Sequence, residues 1–323
     1  MKLSADLLRR CVVLAGPTAG GKTEVAFAVV DELAARGFAV EIVALDSMTL
    51  YRGMDVGTAK PTAGERARCP HHLFDVLWPD EEFSVAEYLA AAETAVRDIV
   101  ARDALPLFVG GTGLYLRSLL RGVFEGPPAD EPLRAELEAV AAADGVEALH
   151  TRLRAIDPPT AERLHPNDTR RVIRAIEVFE ATGRPLSSQH DEGPRPTADR
   201  PRGVFWLDRP RDELHRRIDA RVETMLAAGL VDEVRGLLAS DRPPGKTARQ
   251  ALGYKEVIAH LAGECSLAEA TAMLKARTRQ FAKRQVTWFR NMEEAAAVQP
   301  GDDLAGEIAR RVTSAVSQSD AGL

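Results

Sequence analysis

The chain has 323 residues, 45% of them apolar, with 42 Lys and Arg against 48 Asp and Glu. That size and apolar share allow one large domain or two ordinary ones with real cores. A net charge of -6 argues, taken alone, against a nucleic-acid binder; Cys11, Cys69 and Cys265 are too scattered for a zinc or disulfide framework; and no run is apolar enough to span a membrane. A reducing cytoplasm is the expected compartment, and nothing in the sequence asks for more than a monomer.

Cys11–Ala15 reads as a buried strand, since five apolar residues after Arg9 and Arg10 are too few for a secretory signal. Gly16–Thr23 follows, then an amphipathic helix to about Arg36. Ala39–Leu45 is a second apolar strand ending at Asp46-Ser47. Residues 51–82 read as a long functional loop, because Tyr51, Phe74 and Trp78 are large for disordered sequence. Ser84 and Glu87 form a capping box that opens a helix to about Arg102. Leu105–Val109 is a third strand, followed by Gly110-Gly111-Thr112-Gly113 and a helix to about Leu120. The alternation predicts a parallel α/β sheet.

The pattern changes after Gly122. Helices are expected over about 132–156, 158–165 and 168–182, then a proline-rich loop over 183–202. Gly203–Leu207 resumes as a strand. Helices follow over about 211–228, 229–239, 248–262, 266–290 and 304–316. With the GxxxxGK[ST] run at Gly16–Thr23 between the first strand and helix, the expected architecture is α/β, with a P-loop NTPase-like parallel sheet core over 1–122 and 203–323. Residues 123–202 form a helical insertion domain, and the C-terminal region is helical.

Gly16-Pro17-Thr18-Ala19-Gly20-Gly21-Lys22-Thr23 fits the phosphate-loop pattern, with the required strand before it and helix after it. Its glycines let backbone N–H groups turn inward at phosphate oxygens, and the helix start adds a positive dipole end. Lys22 supplies a point charge, and the Thr23 hydroxyl can ligate Mg²⁺. ATP or GTP is the default ligand of such a loop, yet the third strand ends in Gly110-Gly111-Thr112 with no acid for the metal. The available acid is Asp46, at the end of the second strand. Strand C-termini converge on the ligand crevice of a parallel sheet, so Asp46 and Thr112 are both expected near Lys22. Asp46 can coordinate hydrated Mg²⁺, accept a proton, or merely form a turn; Thr112 can touch substrate or cap a helix.

Residues 275–290 hold six basic residues and no acid. At 100° per residue, Lys275, Arg279, Lys283 and Arg290 fall on one stripe, a footprint for a nucleic-acid backbone. No acid within the stretch can pair with it. Arg170, Arg171 and Arg174 could extend the basic surface, unless Glu177 claims Arg174.

Taken together, GPTAGGKT at 16–23, DSMTLYRGMDVGTAKP at 46–61, PHHLFD at 70–75, GGTGLY at 110–115, HPNDTRRVIRAIE at 165–177, ALGYKE at 251–256 and RQFAKRQVTWFR at 279–290 resemble the bacterial tRNA dimethylallyltransferases, the isopentenyl-tRNA transferase family, in family order. The resemblance runs from about Cys11 to Arg290. It departs at Gly20, where many members carry Ser, and at Leu252.

The resemblance implies a reaction. A dimethylallyl group passes from dimethylallyl diphosphate to the exocyclic amine N6 of the adenosine just 3′ of a tRNA anticodon, and diphosphate leaves. It also implies roles. Asp46 is the base at N6, and Thr112 lies by the target nucleotide. Gly16 and Thr18 through Thr23 hold the diphosphate, with Mg²⁺ on Thr23. An arginine of the helix over 211–228 helps, Arg221 being the choice and Arg217 the alternative. Contacts to the anticodon stem-loop map onto Asp46, Ser47, Met48 and Thr49; Arg170, Arg171 and Arg174; Gln250, Gly253, Tyr254 and Lys255; and Arg279, Gln280, Lys283, Arg284 and Gln285. The insertion would clamp the anticodon stem, and the target base would leave its stack. The competing reading is an ATP-dependent small-molecule kinase, which accounts for the loop but not for the basic helix.

Overall fold

Strands buried on both faces of a parallel sheet must be apolar throughout rather than alternating, and the apolar runs of this chain behave so. The structure, a computed structural model, describes residues 1–189, 193–301 and 303–320. Residues 190–192, within the loop expected over 183–202, lie outside the described residues. By packing the chain divides into two units, Met1 with Gly122–Gly193, and Lys2–Arg121 with Pro194–Leu323. Residues 194–202, expected in the insertion, therefore pack with the larger unit, where Arg195 Nη2 donates to the Leu3 carbonyl at 2.7 Å.

The larger unit is built on six strands: β1 (Val12–Ala15), β2 (Val40–Leu45), β3 (His71–His72), β4 (Leu105–Gly110), β5 (Gly203–Leu207) and β6 (Ala296–Val298). Their order is β3-β2-β4-β1-β5-β6, and every pairing is parallel. The strand that feeds the glycine-rich loop is thus flanked by β4 and β5, and Leu45 of β2 sits opposite Gly110 of β4. The N-terminal helices are α1 (Ala5–Leu8), α2 (Lys22–Ala34), α3 (Ala63–Arg66), α4 (Val85–Ala101) and α5 (Gly113–Arg121). The expected capping box at Ser84 and Glu87 is present at the start of α4.

The smaller unit contains α6 (Glu131–Asp144), α7 (Val146–Ile156), α8 (Pro158–Arg163) and α9 (Thr169–Thr182). Leu137, Leu149, Leu153, Val172, Ile173 and Ile176 form its core. The single helix expected over 132–156 is two, because Gly145 takes φ +87° and ends the first.

The larger unit continues with α10 (Arg211–Ala227), α11 (Leu230–Leu238), α12 (Lys246–Arg249), α13 (Tyr254–Leu261), α14 (Leu267–Arg290) and α15 (Leu304–Asp320). The helix expected over 248–262 likewise breaks, at Gly253 with φ +90°. Beneath one face of the sheet, Phe27, Val30 and Leu33 of α2 pack with Leu304, Ile308 and Val312 of α15 and with Val298 of β6. No helix among the described residues is long and apolar enough to cross a membrane.

Candidate active site

The loop between β1 and α2 turns inward on itself. The Gly20 N–H donates to the Pro17 carbonyl at 3.0 Å, and Ala19 holds φ +58°. Gly21 takes φ +90°, and a Cβ there would stand 3.0 Å from Arg209 Nη2 and 3.3 Å from Arg217 Nη2. Its position at the start of α2 leaves the first helical N–H groups without a side-chain cap. Such a helix start is a binding site for an anion.

Three arginines close on that loop. Arg209 Nε donates to the Gly20 carbonyl at 2.7 Å, and Arg217 Nε to the Ala19 carbonyl at 2.9 Å. Arg221 Nε is buried and has no hydrogen-bond partner among the described residues. Burial pulls the Arg221 pKa down, Asp46 pushes it back up, and Arg217 lowers it further. A buried guanidinium with an open donor calls for an anion. Sequence reasoning weighed Arg217 against Arg221; Arg217 sits on the loop backbone, and Arg221 is within electrostatic reach of Lys22 and Asp46. It missed Arg209, which stands two residues beyond the C-terminal end of β5, where ligand-facing residues of a parallel sheet gather.

Lys22 Nζ donates to the Gly16 carbonyl at 3.0 Å and the Pro17 carbonyl at 2.9 Å. Burial lowers its pKa to about 8, against an opposing pull from Asp46, while Arg221 lowers it further. Asp46 thus lies within electrostatic reach of both Lys22 and Arg221, as the convergence of strand ends requires.

Asp46 Oδ1 accepts the Met48 N–H at 2.9 Å, so one carboxylate oxygen shapes the turn. Thr112 Oγ1 accepts the Ser47 N–H at 3.0 Å, and the Thr112 N–H donates to the Leu45 carbonyl at 3.1 Å. The segment after β4 therefore holds the segment after β2. Beneath it, the Tyr88 hydroxyl donates to the Ala44 carbonyl at 2.9 Å, and the Tyr88 and Tyr115 rings stack at 3.8 Å. Thr49, expected at the RNA, is buried with its hydroxyl on the Asp46 carbonyl; Ser47 and Met48 stay partly accessible.

The basic helix α14 differs from expectation in one respect. Its acidic partners come from other helices: Lys275 pairs with Glu223, Arg279 with Asp219 and Arg277 with Glu256. Lys283, Arg284 and Arg290 are exposed, with no ion pair among the described residues. Lys283, Arg284, Gln280 and Trp288 line a groove of about 640 Å³ with Arg117 and Arg121 of α5. Gln285 does not face that groove. It is 6% exposed, its Oε1 accepts the Thr18 N–H at 2.8 Å, and its Nε2 donates to the Gly111 carbonyl at 2.8 Å. Its expected place at the RNA is corrected, because helical spacing turns it inward, opposite Lys283.

Two further expectations shift. Gly253 and Tyr254 are buried rather than RNA-facing. The Tyr254 hydroxyl donates to Glu233 at 2.6 Å, and the same carboxylate accepts the N–H groups of Asp55, Val56 and Gly57 at 2.9, 2.7 and 3.1 Å. Gln250 and Lys255 remain exposed, bonded to each other at 2.9 Å. In the smaller unit, Arg170 and Arg171 are exposed at the start of α9. Arg174 is taken by Glu177 and by the Pro127 carbonyl, the structural role weighed for it.

Residues 49–292 match the family model described as IPP transferase. The chain belongs to the IPP transferase family. Curated relatives include the tRNA dimethylallyltransferase of Geobacter metallireducens, 48% identical over 90% of this chain and 93% of that protein. That of Desulforudis audaxviator is 50% identical over 88% and 89%. Among solved structures, the full-length tRNA isopentenylpyrophosphate transferase of Bacillus halodurans is 37% identical, with a TM-score of 0.68 over 97% of this chain and 99% of that one. A eukaryotic dimethylallyltransferase acting on tRNA is 26% identical, with a TM-score of 0.77 over 96% of this chain and 79% of that one. These IPP transferase structures share the P-loop-like α/β fold, and nothing in the comparisons supports the kinase alternative.

Proposed function

We propose that this IPP transferase moves the dimethylallyl group of dimethylallyl diphosphate onto N6 of the adenosine just 3′ of the anticodon in tRNA, releasing diphosphate. The observation that carries this reading is that Lys22 at the start of α2, Arg221 of α10 and Asp46 just after β2 lie within electrostatic reach of one another beside the glycine-rich loop. Two cations and an uncapped helix start suit a leaving diphosphate, and a carboxylate beside them suits a proton acceptor.

The N6 lone pair attacks the allylic carbon as the carbon–oxygen bond breaks. The bonding electrons pass to the diphosphate, and the N6 proton passes to Asp46. Lys22, Arg217 and Arg221 take up the charge that grows on the diphosphate. Thr112 fixes the Asp46-Ser47 segment, so the weakly nucleophilic amine meets a positioned base.

The Thr23 hydroxyl is exposed at the start of α2. Among the described residues there is no cluster of His, Cys, Asp or Glu that would cage a metal. One hydroxyl plus substrate phosphate oxygens is a donor set that fits Mg²⁺, which keeps several of its waters. When bound, Mg²⁺ would neutralise diphosphate charge. The exposed cations Lys283 and Arg284, and Arg170 and Arg171 of the smaller unit, are assigned to the RNA backbone.

The experiment is nucleoside analysis of tRNA incubated with the protein, Mg²⁺ and dimethylallyl diphosphate. A dimethylallylated adenosine is expected; phosphate transfer from ATP to a small acceptor without it would overturn the reading.

A further inference from the structure

We infer that Gln285 sets the length of phosphate chain that the loop accepts, limiting it to two phosphates. The inference rests on the diphosphate lying in the loop as proposed above.

The backbone donors of the loop are not equivalent. The Gly20 N–H is spent within the loop on Pro17, and the Thr18 N–H is spent on Gln285 Oε1 at 2.8 Å. What faces an anion is therefore the C-terminal half of the loop, at Ala19, Gly21, Lys22 and Thr23. A chain of two phosphates fills that half, between the helix start and the Arg217 and Arg221 guanidinium groups.

A third phosphate would have to extend toward Thr18, and that end of the loop is built against it. Gln285 Nε2 donates to the Gly111 carbonyl at 2.8 Å, and a Cβ on Gly111 would stand only 2.5 Å from that nitrogen and 3.1 Å from the Gly16 carbonyl oxygen. The space is closed, and the Gly16 and Pro17 carbonyls beside it already accept from Lys22 Nζ. It is also the Asp46 end, because Gly111 precedes Thr112, which holds Ser47. A phosphate there would find its backbone donor, the Thr18 N–H, already used by Gln285. An uncharged allylic carbon meets no such penalty. Gln285 is kept in place by its neighbours on α14, since Ala282 and Phe289 on the same side are buried. Gln285 is thus a specificity-determining residue. It withholds from the loop the donor that a triphosphate would need.

The test is calorimetric titration of the full-length protein with Mg²⁺-pyrophosphate and with Mg²⁺-tripolyphosphate, for the wild type, Gln285→Ala and Gln285→Asn. Wild type is expected to bind pyrophosphate ~10-fold or more tightly than tripolyphosphate, the worth of one hydrogen bond to a charged group. Gln285→Ala is expected to bring the two within about threefold or to reverse their order, because the Thr18 N–H is freed and the longer anion carries more charge. Gln285→Asn, which is one methylene too short to span both partners, should move the ratio the same way should the alanine variant fail to fold. An unchanged ratio in a folded variant overturns the inference and leaves the diphosphate reading standing. A wild type that binds neither anion overturns both.

Discussion

Thr112 and Ser47, 65 positions apart in sequence, are joined by a 3.0 Å hydrogen bond from the Ser47 N–H to Thr112 Oγ1. This bond makes the segment after β4 the support of the segment after β2 that carries Asp46. Thr112→Val keeps the volume and removes the acceptor, leaving a partly buried N–H unpaired at a cost of about 1–3 kcal/mol. The expected outcome is a fall in kcat with little change in tRNA affinity, and recovery in Thr112→Ser. A serine variant as impaired as the valine one would show that the hydroxyl does not act through Ser47.

Asp46→Asn preserves the turn acceptor for the Met48 N–H and removes the base. Loss of a positioned general base lowers turnover by roughly 10²–10⁴-fold. Single-turnover prenyl transfer should fall by that factor while tRNA binding, followed by filter retention, stays near wild type.

Donor affinity should depend on pH through Lys22, whose pKa burial lowers to about 8. Below that pH the ammonium is charged and attracts diphosphate; above it the free protein increasingly presents a neutral amine. The KM for dimethylallyl diphosphate is therefore expected to rise as pH passes through about 8, and binding near that pH should take up a proton. Lys22→Arg, permanently charged, should give a flat KM profile across the same range. A wild-type profile equally flat would count against Lys22 as the titrating group.

The RNA footprint of α14 should belong to its unpaired cations. Lys283→Ala combined with Arg284→Ala removes two phosphate contacts, so the slope of log affinity against log salt should flatten by roughly 1.5 to 2. Arg279→Ala with Lys275→Ala should change it less, because Asp219 and Glu223 already hold those side chains.

Tyr254→Phe removes the hydroxyl that donates to Glu233 at 2.6 Å, beneath the Asp55–Gly57 segment. A lower melting temperature is expected, with an unaltered salt slope for tRNA. A flattened slope would return Tyr254 to the RNA interface.

What could be read from the sequence follows from what is local. Apolar runs located β1, β2, β4 and β5, and the spacing of Gly, Lys and Thr located the loop. Two strands were not legible. His71–His72 is only two residues long, and Ala296–Val298 has neither β-branched alternation nor length, being a strand only because it pairs with Phe205–Leu207. Single glycines with positive φ divided two helices that periodicity had joined. The rest is tertiary. The acids that pair with Lys275 and Arg279 lie on α10, and nothing within 275–290 announces them. Asp46 was legible because the end of a parallel strand has a predictable address. Gln285 was legible only as part of a basic motif, and its inward turn became meaningful once Thr18 and Gly111 were found on its two amide atoms.

The last strand also says where this protein can be cut. The match to the family model ends at residue 292, before β6 and α15. Yet β6 covers the outer edge of β5, while Leu304, Ile308 and Val312 of α15 shield the apolar side of α2, the helix that begins at the phosphate loop. A chain ended at Met292 would hold every residue assigned to chemistry and still expose a strand edge and a greasy helix flank, the two features that drive aggregation. The boundary of shared sequence and the boundary of autonomous folding are different here, and the second lies near the C-terminus.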